Sequence, residues 1–219
     1  MPGLLTDAAV ARCAALFGAG TAQGRWLAPR EAWELDLGPV FDATGIAAVR
    51  AALDDAPVDA NIVRFAPGER RKRLLVADMD STMIGQECID ELAGYVGLKT
   101  HVTEITERAM RGEIAFEPAL RERVALLKGL DASVIEDVLR ERITLMPGGR
   151  ALVATMRANG ATACLVSGGF TGFVDRIASE LGFDGSRANV LEIADGRLTG
   201  AVREPILGRE AKLAALVAL

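Results

Sequence analysis

The sequence predicts an α/β protein: a doubly wound parallel sheet with an inserted helical cap, preceded by a small α/β module. Three observations carry this. Leu74-Leu75-Val76-Ala77 and Thr162 to Val166 are short apolar runs without polar alternation, as expected of central strands buried on both faces. Helical patterns lie between and after them, and strands alternating with helices build doubly wound sheets. The ends of the two runs, Asp78 and Ser167, stand 89 residues apart. A plain crossover takes about 30 residues, so something sizeable is inserted.

Bulk composition narrows the class. The chain has 219 residues, half of them hydrophobic, enough to bury a core and leave a smaller module beside it. A formal net charge of -5 argues against nucleic acid as the main partner, since a phosphate-backbone binder needs a basic face. Cys13, Cys88 and Cys164 are scattered and odd in number, which suits a reducing cytoplasm better than a disulfide framework. Asp7 and Arg12 interrupt the N-terminal apolar stretch, so no signal peptide is expected. No uncharged run reaches the roughly 18–20 apolar residues of a membrane span.

Residues 1–70 read as the separate module. A helix is expected from Asp7 to Phe17, short strands near Arg25 to Leu27 and Ala32 to Leu35, a helix over Ile46 to Leu53 and a strand over Asn61 to Phe65. The module carries no recognisable chemistry and suits regulation, homodimer formation or plain support. Pro67-Gly68 punctuates, and Arg70-Arg71-Lys72-Arg73 reads as a solvated lead-in to the next strand.

Residues 71–219 hold the main sheet, with the cap at about 86–145. Phe116, Ala119, Leu120, Val124 and Leu127 recur at helical spacing, with Pro118 in the first turn. Further cap helices are expected over Thr100 to Arg111, and to Arg142 from a cap at Asp131 or Ser133. Beyond Ser167 a third strand is expected near Asn189 to Ile193, and Asp195-Gly196 signals a hairpin turn into Arg197 to Val202. A last helix, Arg209 to Leu219, should face the core through Leu213, Leu216 and Val217.

The chemistry gathers at the strand ends. Asp78-Met79-Asp80-Ser81-Thr82 places two carboxylates at i and i+2 after a buried strand, which is costly without counter-charge. Around a hard cation the pair makes sense, because Mg²⁺ is commonly held by one or two carboxylates plus substrate phosphate. Asp78 could then attack phosphorus, and Asp80 could serve as acid and base. In isolation, D-x-D is also an ordinary solvated turn. Ser167-Gly168-Gly169-Phe170 offers a hydroxyl, two small residues and a helix N-terminus, the parts of a phosphate cradle or of a plain strand-to-helix turn. His101, the only histidine, has no Cys or His neighbours and is read as structural or surface.

The order Asp78-Met79-Asp80-Ser81-Thr82, Ser167-Gly168-Gly169-Phe170 and Lys212 resembles the first three motifs of the haloacid dehalogenase superfamily. Glu87, Glu107-Arg108-Ala109-Met110, Phe116-Glu117 and Leu120-Arg121-Glu122-Arg123-Val124 narrow the resemblance to its phosphoserine phosphatase family, over about Leu74 to Leu213. The resemblance implies a Rossmann-like core and hydrolysis of O-phospho-L-serine, the last step of serine biosynthesis. It implies Asp78 as nucleophile and magnesium ligand, and Asp80 as acid/base whose backbone carbonyl also binds the metal. Ser167, Gly168 and Lys212 would hold phosphate, Glu87 the substrate ammonium and Arg123 its carboxylate, with Met110 and Phe116 as apolar walls. An arginine fork suits a carboxylate and a glutamate an ammonium, so the pair would select a zwitterion. As a surface ion pair the same two residues would be worth at most about 1 kcal/mol.

The family also carries a fourth motif, Gly-Asp-Gly-x-Asn-Asp, beyond the lysine. After Glu210 this sequence has no acidic residue, so it reads as the N-terminal two-thirds of a longer chain. The other readings are a catalytically impaired phosphoamino-acid binder, and a related phosphatase or phosphotransferase acting on another small phosphomonoester.

Overall fold

The structure, a computed structural model, describes residues 4–37, 45–54, 56–63, 69 and 71–218, with the backbone alone at 21, 209, 211, 212 and 215. The chain divides into two compact units, Met1–Arg70 and Arg71–Leu219.

In the first unit, helix α1 (Asp7–Ala15) begins where the Thr6 hydroxyl accepts the Ala9 N–H at 3.1 Å, satisfying one of the helix's orphan donors. Strands β1 (Gly24–Ala28) and β2 (Ala32–Leu35) form an antiparallel hairpin. A side chain at Gly24 would collide with the Trp33 ring, so only glycine fits there. Helix α2 (Gly45–Ala52) completes a small core in which Ala9, Val49 and Leu53 are buried against Leu5, Phe17 and Ile46. The strand expected over Asn61 to Phe65 is not formed at residues 61–63; Arg64 and Phe65 lie outside the described residues, as do Pro67, Gly68 and Arg70.

The second unit holds a parallel sheet ordered β3 (Leu74–Ala77), β4 (Thr162–Phe170), β5 (Gly185–Asn189). Among the described residues, β4 and not β3 is the central strand. Ala163, Leu165 and Val166 are buried, whereas Leu74, Leu75 and Val76 are half-buried. The third strand also differs from expectation. Gly185–Asn189 pairs with β4, while β6 (Leu191–Ala194) turns away to pair with β7 (Arg197–Val202). The apolar run spans the break between two sheets, and apolarity alone cannot say where it lies. The hairpin turn is as expected: Asp195 and Gly196 both have positive φ, as a type I′ turn requires.

Helices α7 (Gly149–Ala158) and α8 (Thr171–Leu181) pack on the sheet. α8 buries Phe173, Val174, Ile177, Ala178 and Leu181, one stripe at helical spacing, and ends on left-handed Gly182, whose N–H returns to the Ala178 carbonyl.

Four helices form the cap between β3 and β4: α3 (Cys88–Tyr95), α4 (Lys99–Met110), α5 (Phe116–Ala125) and α6 (Val134–Glu141). Its entering and leaving segments pair with each other. Gly85 donates to the Thr144 carbonyl at 3.0 Å, Met146 to that of Met83 at 2.9 Å, and the Gln86 amide bonds Thr144 in both directions. Core and cap share one apolar cluster, from Met79 and Leu165 through Leu92, Val102, Val124, Leu127 and Val138. Helix α9 (Arg209–Ala218) reverses an expectation: Leu213, Leu216 and Val217 are at least half exposed rather than core-facing. Periodicity identifies the apolar face of a helix but not what covers it.

Candidate active site

Strand β3 delivers Asp78 and Asp80 to its C-terminal end, and the chain folds back at once. The Met79 carbonyl accepts the N–H groups of Thr82, Met83 and Ile84 at 3.1, 2.8 and 3.2 Å. The Met79 side chain is fully buried between the two half-buried aspartates. Asp78 accepts the Met79 N–H at 2.9 Å, and Asp80 accepts that of Cys88, the first residue of α3, at 3.3 Å. Burial, reinforced by the nearby charge of Glu87, pushes the Asp80 carboxyl up from 3.8 to about 7, while the bond from Cys88 works the other way. The adjoining Cys88 thiol is itself pushed up by burial and by Asp80.

Strand β4 loses its register with β5 between Val166 and Phe170, so Ser167, Gly168 and Gly169 occupy a break in the ladder. Ser167 is buried and its hydroxyl accepts the Gly169 N–H at 3.0 Å. A Cβ on Gly169 would lie 3.2 Å from both the Asp80 Oδ2 and the Ser167 hydroxyl. The two strand-end motifs therefore meet at backbone contact. A Cβ on Gly168 would lie 2.9 Å from Cζ of Phe116, whose ring at the start of α5 roofs this turn.

Asn189, at the end of β5, ties the turn from below. Its amide donates to the Gly168 carbonyl at 2.8 Å and to the Leu207 carbonyl at 3.2 Å, and its oxygen accepts the Leu207 N–H at 2.7 Å. The sequence reading passed over this residue, which is only 2% exposed. The sequence put Asn189 at the start of an expected strand; its place at the end of β5, among the strand ends where α/β sheets bind ligands, came only with the structure.

Glu87 and Arg123 flank these acids. Arg123 is buried on α5, donating to the Ala119 carbonyl at 3.1 Å and the Thr106 hydroxyl at 2.9 Å. Burial lowers its pKa, opposed by the charges of Asp90, Glu87 and Asp80. Asp90 is a second missed residue. It is buried in the first turn of α3, where an acid reads as ordinary helix-dipole compensation. One of its oxygens accepts from Thr103 at 2.8 Å, and the other has no hydrogen-bond partner among the described residues. The remaining expected residues are less enclosed. Phe116 is 37% exposed, and Met110 is three-quarters exposed at the end of α4. Lys212 lies on α9, its side chain outside the described residues. His101 is exposed beside Glu104.

No group of three or more His, Cys, Asp or Glu side chains that could hold a metal ion occurs among the described residues. The donor set is instead a carboxylate pair with Glu87 nearby and a burial penalty on Asp80. It is an oxygen-only, acid-rich arrangement that fits a hard cation completed by phosphate and water.

Known proteins share this plan. The phosphoserine phosphatase of Streptomyces coelicolor is 46% identical over 169 residues, covering 77% of this chain and 40% of that protein. That of Archaeoglobus fulgidus is 43% identical over 178 residues, covering 81% and 52%. The chain thus spans about half the length of these curated relatives. A substrate-bound phosphoserine phosphatase complex superposes with a TM-score of 0.64 at 38% identity, covering 68% of this chain and 71% of that one. An unliganded probable phosphoserine phosphatase from Vibrio cholerae gives 0.68 at 30% identity, covering 98% and 65%. A family model for haloacid dehalogenase-like hydrolases matches residues 75–219, the stretch that carries both strand-end motifs and the cap, and the chain belongs to that family.

Proposed function

We propose that this protein hydrolyses O-phospho-L-serine to L-serine and phosphate through an aspartyl-phosphate on Asp78. The observation that carries the reading is the meeting of Asp80, two residues after Asp78, with the Ser167–Gly169 turn, while Asp78, Glu87 and Arg123 stand near enough to exchange charge effects with it. The curated relatives bearing that activity support the substrate.

In this mechanism the Asp78 carboxylate attacks phosphorus as the bond to the serine oxygen breaks. Asp80, whose carboxyl burial and Glu87 push upward, gives its proton to the leaving oxygen. The resulting Asp80 carboxylate then takes a proton from water as that water attacks phosphorus and releases Asp78. Ser167 and the backbone of Gly168 hold the phosphoryl oxygens, joined by Lys212. Glu87 receives the ammonium and Arg123 the carboxylate, with Phe116 and Met110 as apolar walls. Asp78 and the Asp80 carbonyl would hold Mg²⁺, which supplies charge neutralisation at the phosphoryl group. Residues 1–70 are read as an accessory module, and the three free cysteines suit a cytoplasmic enzyme of serine biosynthesis. No helix among the described residues is long and apolar enough to cross a membrane.

The test is phosphate release from O-phospho-L-serine, with Mg²⁺ and with EDTA, by the wild-type protein and Asp78→Asn. Magnesium-dependent release that the variant abolishes is expected. Full activity in Asp78→Asn would overturn the mechanism, and inactivity on phosphoserine alone among phosphomonoesters would overturn the substrate.

A further inference from the structure

We propose that Ser81 is the positioning residue that gives the site its preference for an ammonium-bearing substrate, by holding the Glu87 carboxylate in place. The inference rests on the reading of Glu87 as the ammonium acceptor.

Three non-glycine residues among those described have positive φ: Arg30, Ser81 and Asp195. Arg30 and Asp195 sit in the tight turns of the hairpins β1–β2 and β6–β7, where such backbone is demanded. Ser81, at φ 51°, joins no hairpin. A left-handed non-glycine residue persists only where its surroundings over-determine it, and such residues cluster at functional sites.

The conformation has a visible consequence. The Ser81 N–H reaches the Gln86 carbonyl at 3.3 Å, and its hydroxyl donates to the Glu87 Oε1 at 2.8 Å. The strained turn therefore closes the loop back on the residue that precedes α3. Glu87 occupies the N-cap position of that helix yet makes no side-chain cap bond. Its carboxylate is turned to Ser81, with Asp80 close enough to feel its charge. Glutamate has three side-chain torsions, and among the described residues the Ser81 hydroxyl is the hydrogen-bond donor that restrains its carboxylate.

Ser81→Gly separates this role from a structural one, because glycine adopts φ 51° without strain. A structural residue replaced in this way leaves selectivity unchanged and thermal stability equal or higher. The measurement is kcat and KM for O-phospho-L-serine and for p-nitrophenyl phosphate, which has neither ammonium nor carboxylate, in wild type, Ser81→Gly and Ser81→Asn. Ser81→Gly should lower the ratio of the two kcat/KM values by roughly 10-fold, as loss of a hydrogen bond to a charged group implies, with the change carried by KM for phosphoserine. Ser81→Asn, which tolerates left-handed backbone and keeps a donor, should restore most of it. An unchanged ratio in Ser81→Gly, against a wild type that prefers phosphoserine, overturns the role of Ser81 alone. A wild type that turns over both esters without preference overturns the substrate reading and this inference with it.

Discussion

Replacing Asp80 by asparagine should stabilise the magnesium-free protein while removing its acid/base group. Burial and the neighbouring acid raise the Asp80 carboxyl from 3.8 to about 7 in the folded state. A raised folded value means that the native protein binds this proton more tightly than the unfolded chain. Stability is therefore lost as pH rises from about 4 to about 7, and the penalty is constant above. A difference of that size corresponds to about 4 kcal/mol at 1.36 kcal/mol per pH unit, and to about 2 kcal/mol once partial solvent access is allowed for. Asparagine keeps the shape and an oxygen for the Cys88 N–H, but it cannot ionise. In urea titrations with EDTA, Asp80→Asn should exceed wild type by about 2–4 kcal/mol near pH 8 and by about 1 kcal/mol or less near pH 4.5. Both tryptophans, Trp26 and Trp33, lie in the first unit, so far-ultraviolet circular dichroism is the signal for the second. Added Mg²⁺ should raise wild type more than the variant. A variant no more stable than wild type at pH 8, or one whose advantage persists in acid, would refute the charge-burial argument.

Two further outcomes follow from the break within β4. Gly168→Ala should weaken inhibition by inorganic phosphate about 10-fold or more, since its Cβ would sit 2.9 Å from the Phe116 ring. Phe116→Ala in the same chain should recover part of that loss, and strictly additive effects would show that the ring does not roof the turn. Asn189→Ala strands two carbonyls and one N–H in a buried place, and should cost about 2–4 kcal/mol in urea unfolding; a loss below 1 kcal/mol would mean that water replaces the amide.

The local features were legible because they depend on neighbours along the chain. Apolar runs marked Leu74–Ala77 and the start of β4, Asp195-Gly196 marked a type I′ turn, and the Phe116-to-Leu127 spacing marked a cap helix. The two chemical motifs stood out in the same way, as polar groups ending apolar strands. Tertiary structure decided everything that depends on which surfaces meet. Among the described residues it ordered the sheet β3–β4–β5 and assigned the third strand to Gly185–Asn189. It left the apolar stripe of α9 exposed, set Phe116 over Gly168 and brought Asp90 toward Arg123. It also twisted Ser81 into left-handed backbone, which nothing in its identity requires. Periodicity and turn chemistry are fixed within a few residues, whereas burial, charge coupling and strain arise only when distant segments are packed against one another.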